Sequence, residues 1–196
     1  MKTNVIIQGL GFVGSAMATA VASKLDNNNQ PIFNVKGIDL PFGIGKERID
    51  LINQGIFPFK TNDAKLADKM NEAVKKGNLQ AVSNKSVYSE ADIVLVSINC
   101  DLILENNKEK INLNAFSNSI KEIAENINEN TLVIIESTVP PGTCEKIVYP
   151  IFKDIFNQRK ININKFYLAH SYERVMPGDE YFDSIINYWR VYAGIN

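Results

Sequence analysis

Cysteine, histidine and tryptophan are scarce in this chain of 196 residues, which contains two, one and one of them respectively. Cys100 and Cys144 fit neither the spacing of a metal site nor a disulfide framework. The sequence therefore predicts no metal site and no small fold that depends on disulfide bonds.

An excess of one charge is also missing, because 21 Lys and Arg residues face 22 Asp and Glu residues. No strong field would attract nucleic acid or anionic lipid. The longest apolar runs, such as residues 93–98, have the length of a strand and fall far short of a membrane span. The N-terminus reaches glycine too early, after too short an apolar run, for a signal peptide. These absences predict a cytoplasmic protein without a nucleic-acid or membrane partner, and the abundance of Asn, Ile and Lys suggests a bacterial source.

Hydrophobic residues make up 45% of the sequence, which is enough for one large domain with a full core. The most informative segment is Val5–Gly14, a β-branched strand that runs directly into Gly-x-Gly-x-x-Gly and a helix of small residues. In this motif Gly9 allows a sharp turn, Gly11 allows the backbone to approach a pyrophosphate, and Gly14 allows close packing of helix and strand. The helix N-terminus then offers an anion site. The segment predicts a dinucleotide-binding fold.

An acidic residue follows at the position that this fold requires. Residues 33–39 are predicted to form the second strand, which ends on Asp39 about 25 residues after Gly14, with residues 26–31 as a loop insertion. A carboxylate there accepts hydrogen bonds from the ribose hydroxyls and repels a 2′-phosphate, which favours NAD over NADP. No arginine follows until Arg48, which is consistent with NAD. The alternative is that Asp39 only caps a strand.

Strand-like and helix-like runs alternate along the rest of the chain, which predicts a Rossmann-like, doubly wound, mainly parallel sheet with helices on both faces. Further strands are predicted at residues 79–82, 91–98, 131–135, 166–169 and 189–193. Helices are predicted at residues 15–24, 46–54, 63–76, 112–127 and 143–156.

Three polar segments follow predicted strands, at the carboxyl edge where open α/β sheets bind ligands. They are residues 97–101, residues 136–143 with two prolines and a glycine, and residues 170–179, which include Glu173 beside Arg174. A carboxylate beside a guanidinium at this edge is a candidate acid/base pair or substrate clamp.

Plainer interpretations stand beside these. Glu173 could form a surface ion pair with Arg174, and His170 is more simply a hydrogen-bonded structural residue than a catalytic one. Cys144 lies in the first turn of a predicted helix, where the dipole could lower its pKa, but neither cysteine is favoured as a nucleophile. Side chains predicted for the core rather than for a ligand site are Trp189, Tyr192 and the phenylalanines of residues 148–156. The charged stretch from Glu105 to Lys110 is predicted to be a solvated loop.

Taken in order, several motifs resemble the nucleotide-sugar 6-dehydrogenases, the UDP-glucose/GDP-mannose dehydrogenase family. The motifs that carry the resemblance are Gly9–Gly14, Ile38–Asp39, Arg48–Gly55, Ser137–Thr143 and Glu173–Gly178. The form Glu-Arg-Val-x-Pro-Gly resembles the branch that acts on UDP-N-acetylhexosamines such as UDP-N-acetylmannosamine, an activity of polysaccharide biosynthesis. The resemblance covers the whole of residues 1–196 as that family's NAD-binding domain. It implies oxidation of a sugar C6 alcohol to a carboxylate with two NAD, through a thioester on a cysteine.

The resemblance also implies roles for individual residues. Glu173 matches the glutamate that handles water in thioester hydrolysis, and Thr138 matches the threonine that helps to hold this water. Arg174 would reach the substrate together with Glu173. The residues that would bind NAD are Gly9, Gly11, Phe12, Val13, Gly14, Asp39, Ser97, Asn99, Ser137 and Thr138.

The chain departs from the family pattern in three places. Asn99-Cys100-Asp101 replaces a Pro-Thr-Pro-like run, and Tyr172 replaces the proline before the glutamate. The family's nucleophilic cysteine, its central dimer helix and its UDP-binding domain lie downstream of anything in these 196 residues. We therefore expect half an active site here and a homodimer for the full-length protein.

Two other functions remain open on the sequence alone. One is a free-standing NAD- or nucleotide-binding domain without catalysis. The other is a different two-domain Rossmann dehydrogenase, of the 6-phosphogluconate or 3-hydroxyacyl-CoA kind, which gives no reason for the Ser-Thr-Val-Pro-Pro-Gly-Thr run.

Overall fold

Within residues 2–100, 102–105 and 108–195, which a computed structural model describes, the chain forms nine strands and six α-helices. The strands are β1 (Thr3–Gln8), β2 (Phe33–Ile38), β3 (Leu79–Val82), β4 (Ile93–Val96), β5 (Leu102–Glu105), β6 (Lys108–Ile111), β7 (Leu132–Ile135), β8 (Tyr167–His170) and β9 (Ala193–Gly194).

Helices connect most of these strands. They are α1 (Phe12–Ala22), α2 (Gly43–Asn53), α3 (Ala64–Lys75), α4 (Asn114–Asn126), α5 (Tyr149–Gln158) and α6 (Tyr181–Asn187). All five predicted helices are confirmed, with ends that differ by a few residues.

Seven strands form the main sheet in the order β3-β2-β1-β4-β7-β8-β9. Neighbouring strands pair in parallel from β3 to β8, and β9 alone is antiparallel to its neighbour. The order reverses at β1, because β2 and β3 lie on one side of it and β4, β7 and β8 lie on the other. A crevice opens at this reversal, where open α/β sheets bind ligands. The predicted doubly wound, mainly parallel fold is confirmed.

Both faces of the sheet are covered by helices, so the buried middle of β1 and all of β4 and β7 are apolar. Val5 and Ile7 of β1 face one core with α1, α3 and α6, whereas Ile6 faces a second core with α4 and α5. This alternation follows from the period-2 geometry of a strand. It also explains why β1 and β4 read as nearly continuous Val and Ile.

The last predicted strand is wrong in position. Residues 189–193 were predicted to form it, but the strand at the sheet edge is only Ala193–Gly194. Trp189 and Tyr192 are 94% and 79% exposed, so their predicted place in the core is also wrong. The cause is location, since they precede the outermost strand and no described element packs over them. Phe152 and Phe156, by contrast, are buried as predicted.

Two elements were not predicted. Within the charged stretch that was expected to be a loop, Glu105 lies in β5 and residues 108–110 lie in β6, and these two strands pair antiparallel. The helix α6 follows the charged segment of residues 170–179, and its residues Tyr181, Phe182 and Ile185 lie on one helical face and are buried against α1 and α3. The i, i+4 spacing of Tyr181 and Ile185 was the available signal.

Asp63 joins α3 to α6 through one buried carboxylate. It accepts hydrogen bonds from the backbone N–H of Leu66 at 3.1 Å and of Phe182 at 2.7 Å, and it is 2% exposed. We expect Asp63→Ala to lower the free energy of unfolding by about 2–4 kcal/mol, because it removes a helix cap and leaves two N–H groups without an acceptor. Urea denaturation measures this effect. Asp68→Ala on the exposed face of α3 is the control, and an equal loss in both variants would contradict the bridging role.

Candidate functional site

The turn between β1 and α1 has the geometry that a dinucleotide needs. Gly9 has φ +92°, and a Cβ added there would lie 2.7 Å from the Ser97 carbonyl oxygen. A Cβ at Gly14 would overlap the Gly9 carbonyl oxygen. A Cβ at Gly11, however, meets nothing within 4 Å. Two of the glycines are therefore required by packing within the protein, and the third borders open space at the helix start.

The first turn of α1 has no side-chain cap among the described residues, because Gly11 stands at the N-cap position. Its N–H groups and the helix dipole therefore face that open space. The side chain of Phe12 turns away from it and packs with Phe57, Phe59 and Tyr181 at ring-centroid distances of 5.1–5.6 Å. Phe12 and the half-buried Val13 can thus serve an anion through their backbone N–H groups.

Asp39 follows β2 and is fastened to the glycine turn. Its carboxylate accepts from the N–H of Leu10 at 3.2 Å and of Leu40 at 2.8 Å. Arg48 on α2 also reaches it, with Nη1 at 3.4 Å, and stacks over Phe59. An arginine therefore lies beside Asp39 in space, although none is near it in the sequence. The support for NAD that was drawn from the missing arginine is wrong. The carboxylate partly neutralises the guanidinium, so a 2′-phosphate would still meet an anion at this position.

Polar groups at the ends of β4 and β7 are linked by hydrogen bonds. The Ser137 hydroxyl accepts from the N–H of Ile98 at 2.9 Å and donates to the Val96 carbonyl at 3.3 Å. Ser137 is buried, so its side chain fixes the two strand ends relative to each other. Asn99 is exposed at the carboxyl edge. Asp101, the last residue of the run that departs from the family pattern, lies outside the described residues.

Glu136 is a functional candidate to which the sequence motif assigns no role. It directly follows β7 and accepts from the Ser97 hydroxyl at 2.9 Å and from Arg190 Nη1 at 2.5 Å. Burial raises the pKa of Glu136, and the Arg190 guanidinium acts against that rise. An acidic residue directly after four apolar strand residues is a sequence signal for a site residue at the carboxyl edge of the sheet. Nothing in the sequence indicates that Arg190, 54 residues away, is its partner.

Thr138 lies exposed in the loop after β7, which prolines make rigid. The loop is closed by Thr143, whose hydroxyl donates to the Pro140 carbonyl at 2.7 Å. It borders a cavity of about 510 Å³ that is also lined by His170, Tyr172 and residues 193–195. The Thr138 hydroxyl is free to meet a ligand from this side.

Cys144 begins a π-helical turn, Cys144–Val148, that leads into α5. Burial raises the pKa of the Cys144 thiol. His170 Nε2 lies 3.4 Å from the Ser137 carbonyl oxygen, the kind of contact expected of a structural histidine.

Glu173 is held by its own loop and not by its neighbour. Its carboxylate accepts from the N–H of Val175 and, at 3.4 Å, from the Tyr181 hydroxyl. Arg174 is exposed, and the ion pairs among the described residues do not include one between Glu173 and Arg174. Burial raises the pKa of Tyr181, and the charge of Glu173 adds to the rise. The tyrosine therefore remains a hydrogen-bond donor to the carboxylate at neutral pH.

The residues at the crevice fit NAD. The open space at Gly11 and the helix N-terminus that faces it match a pyrophosphate. The fixed carboxylate of Asp39 after β2 matches a ribose. Among the described residues, no group of His, Cys, Asp and Glu could hold a metal ion. The helices that the structure describes also include none that is long and apolar enough to cross a membrane.

Comparison with known proteins agrees with an NAD-binding domain of this fold. The chain is 28% identical over 192 residues to a UDP-N-acetyl-D-mannosamine dehydrogenase of Methanocaldococcus jannaschii, and 30% identical over 195 residues to one of Methanococcus vannielii. Each match covers 98% of this chain and 39% of the relative, so the chain spans well under half of these proteins. Relatives occur in archaea and in bacteria such as Staphylococcus aureus, so a bacterial source stays a prediction.

A solved structure gives the same result for the fold. The NDP-N-acetyl-D-galactosaminuronic acid dehydrogenase of Methanosarcina mazei Go1 superimposes with a TM-score of 0.86 at 25% identity. The match covers 100% of this chain and 39% of that one. Residues 3–195 match the model of the NAD-binding domain of the UDP-glucose/GDP-mannose dehydrogenases. The chain belongs to the UDP-glucose/GDP-mannose dehydrogenase family, as its NAD-binding domain.

Proposed function

We propose that this chain is the cofactor domain of an NAD-dependent dehydrogenase that oxidises the C6 alcohol of a UDP-N-acetylhexosamine to a uronic acid. The family match over residues 3–195 carries the proposal. The relatives named UDP-N-acetyl-D-mannosamine dehydrogenase support this substrate class, as does the Glu-Arg-Val-Met-Pro-Gly run beginning at Glu173. NAD, when bound, accepts a hydride, and two such acceptances are needed to convert an alcohol to an acid.

In this proposal, ten residues bind the cofactor by three kinds of contact. The glycine turn, Phe12 and Val13 offer backbone N–H groups to the pyrophosphate, and Asp39 holds the adenosine ribose. Ser97, Asn99, Ser137 and Thr138 line the nicotinamide half, because they follow β4 and β7 on the far side of the crevice from Asp39.

Glu173 is proposed to take a proton from the water that hydrolyses the thioester. A carboxylate accepts a water proton when it has a vacant lone pair and a fixed orientation. The bonds from Val175 and Tyr181 supply the orientation and leave lone pairs unused. Thr138 is proposed to hold the same water through its exposed hydroxyl, and Arg174 is proposed to contact the sugar nucleotide.

The remaining parts of the active site are proposed to lie in polypeptide outside these 196 residues. They comprise the nucleophilic cysteine, the central helix and the UDP-binding domain. Residues 1–196 are then a single cofactor domain, and the full-length protein is a cytoplasmic homodimer. Sequencing the native reading frame beyond the Asn196 codon tests this directly. We expect the nucleophilic cysteine there, in a Gly-Phe-Gly-Gly-x-Cys motif.

A substrate screen of the full-length gene product tests the reaction. We expect a UDP-N-acetylhexosamine to drive the formation of two NADH per sugar, because alcohol and aldehyde are both oxidised. One NADH per substrate, or turnover only with a substrate that is not a nucleotide sugar, would reject the proposal. NAD binding without any turnover would favour the non-catalytic nucleotide-binding domain.

In the full-length enzyme, Glu173→Gln is expected to slow overall turnover by about 10²–10³-fold, because general-base catalysis contributes an effect of this size. The first oxidation does not use this base, so a covalent enzyme adduct should accumulate. Intact-mass spectrometry of the protein during turnover detects it, with Glu180→Gln as an exposed control. A fall in rate without any adduct would assign Glu173 another role.

A further inference from the structure

The feature that the proposed reaction leaves unexplained is the ion pair of Glu136 and Arg190. The Glu136 side chain is 1% exposed, and Arg190 Nη1 lies 2.5 Å from its Oε1 atom. Glu136 directly follows the strand β7, whereas Arg190 lies between α6 and the edge strand β9. Burying a pair of charges is weak evidence for stability, so its position calls for another reason.

Each member of the pair also touches the dinucleotide-binding unit. Glu136 Oε2 accepts from the Ser97 hydroxyl at 2.9 Å, and the Ser97 carbonyl packs against Gly9 of the glycine turn. Arg190 Nη2 lies 3.5 Å from the sulfur of Met17 on α1. The pair thereby connects β4, β7 and the cofactor helix to the segment between α6 and β9.

This network lies on one half of the crevice. Asp39 follows β2, on one side of β1, whereas Ser97 and Glu136 follow β4 and β7 on the other side. NAD bound with its ribose at Asp39 and its pyrophosphate at the glycine turn extends toward β4 and β7. The end of the cofactor nearest the network is then the nicotinamide riboside.

We propose that Glu136 and Arg190 are positioning residues that hold Ser97, and the segment carrying Arg190, in the arrangement that receives the nicotinamide half of NAD. This inference rests on the NAD-binding role. A side chain held by two partners needs no rearrangement when the ligand arrives, so the pair would act by preorganisation. A pair that only stabilises the fold would treat every part of the cofactor alike.

The two ligands that separate these cases are NAD and ADP. ADP carries the adenosine and the phosphates but lacks the nicotinamide riboside. Calorimetric titration of the chain with each ligand gives the two affinities for Glu136→Gln, Arg190→Met and the double variant. Glu136→Gln keeps the shape of the side chain, so it preserves folding. Lys65→Met, which removes the exposed ion pair of α3 and α6, is the control.

We expect each single variant to bind NAD about tenfold more weakly than the wild type and to bind ADP within twofold of it. The double variant should bind both ligands as the single variants do. Charge alone would act differently, because losing an anion and losing a cation shift the binding of the cationic nicotinamide in opposite directions. Opposite shifts would therefore overturn the proposal. Equal weakening of NAD and ADP, or no change in either, would overturn it as well. Failure of the wild type to bind NAD would instead reject the underlying NAD-binding role.

Discussion

Gly11→Ala is expected to remove NAD binding from a protein that still folds, whereas Gly14→Ala is expected to damage the fold itself. The added methyl at Gly11 meets no protein atom within 4 Å, and the φ of −61° and ψ of −176° there suit alanine. The free energy of unfolding should therefore change by less than about 1 kcal/mol. The same methyl occupies the space through which a pyrophosphate would approach, so we expect NAD affinity to fall at least about 30-fold.

The methyl at Gly14 has no such space, because it would overlap the Gly9 carbonyl oxygen. Relief requires α1 to move away from β1, and we expect a loss of about 3 kcal/mol or more in stability, as for an overpacked core. Thermal denaturation followed by circular dichroism, with NAD titration of both variants, measures the two effects. Normal NAD binding by Gly11→Ala, or normal stability of Gly14→Ala, would contradict the assignment of these glycines.

Asp39→Asn is expected to reduce the preference for NAD over NADP by about 100-fold. Asparagine keeps the shape of the side chain, but its single amide oxygen can accept from only one of Leu10 and Leu40, because their N–H groups donate to different oxygens of Asp39. The substitution removes the negative charge that repels a 2′-phosphate, and it releases Arg48, now 3.4 Å from the carboxylate, to bind that phosphate. Two changes of about 1.4 kcal/mol each give the expected factor.

The double variant Asp39→Asn/Arg48→Met separates these contributions. It should lose the gain in NADP affinity that comes from the guanidinium while keeping the gain from removing the repulsion. Titration with NAD and NADP measures both, and Asp50→Asn on the exposed surface of α2 is the control. An unchanged preference for NAD in Asp39→Asn would show that cofactor choice is made elsewhere.

Local patterns in the sequence were enough to predict the fold and the cofactor. The cofactor motif lies within about 40 residues and consists of a buried strand, three glycines and a second strand that ends on Asp39. Each of these residue types is needed there for a steric or chemical reason. The helix faces and the apolar central strands follow from periodicity in the same way. These signals depend on neighbours along the chain, so one sequence contains them in full.

Contacts between side chains on different elements were not accessible in this way. Arg48 reaches Asp39 because α2 folds back over the strand end, and Arg190 reaches Glu136 across 54 residues. Trp189 and Tyr192 look like core residues by type and are exposed because of where the sheet ends. Each of these depends on how the elements pack, which the local pattern does not encode.

Calorimetric titration of NAD into this chain, with NADP as the comparison, tests the central claim most directly. The account predicts saturable binding of one NAD per chain and binding of NADP at least about tenfold weaker. A chain that is folded by circular dichroism and binds neither cofactor, or binds both equally, would contradict it.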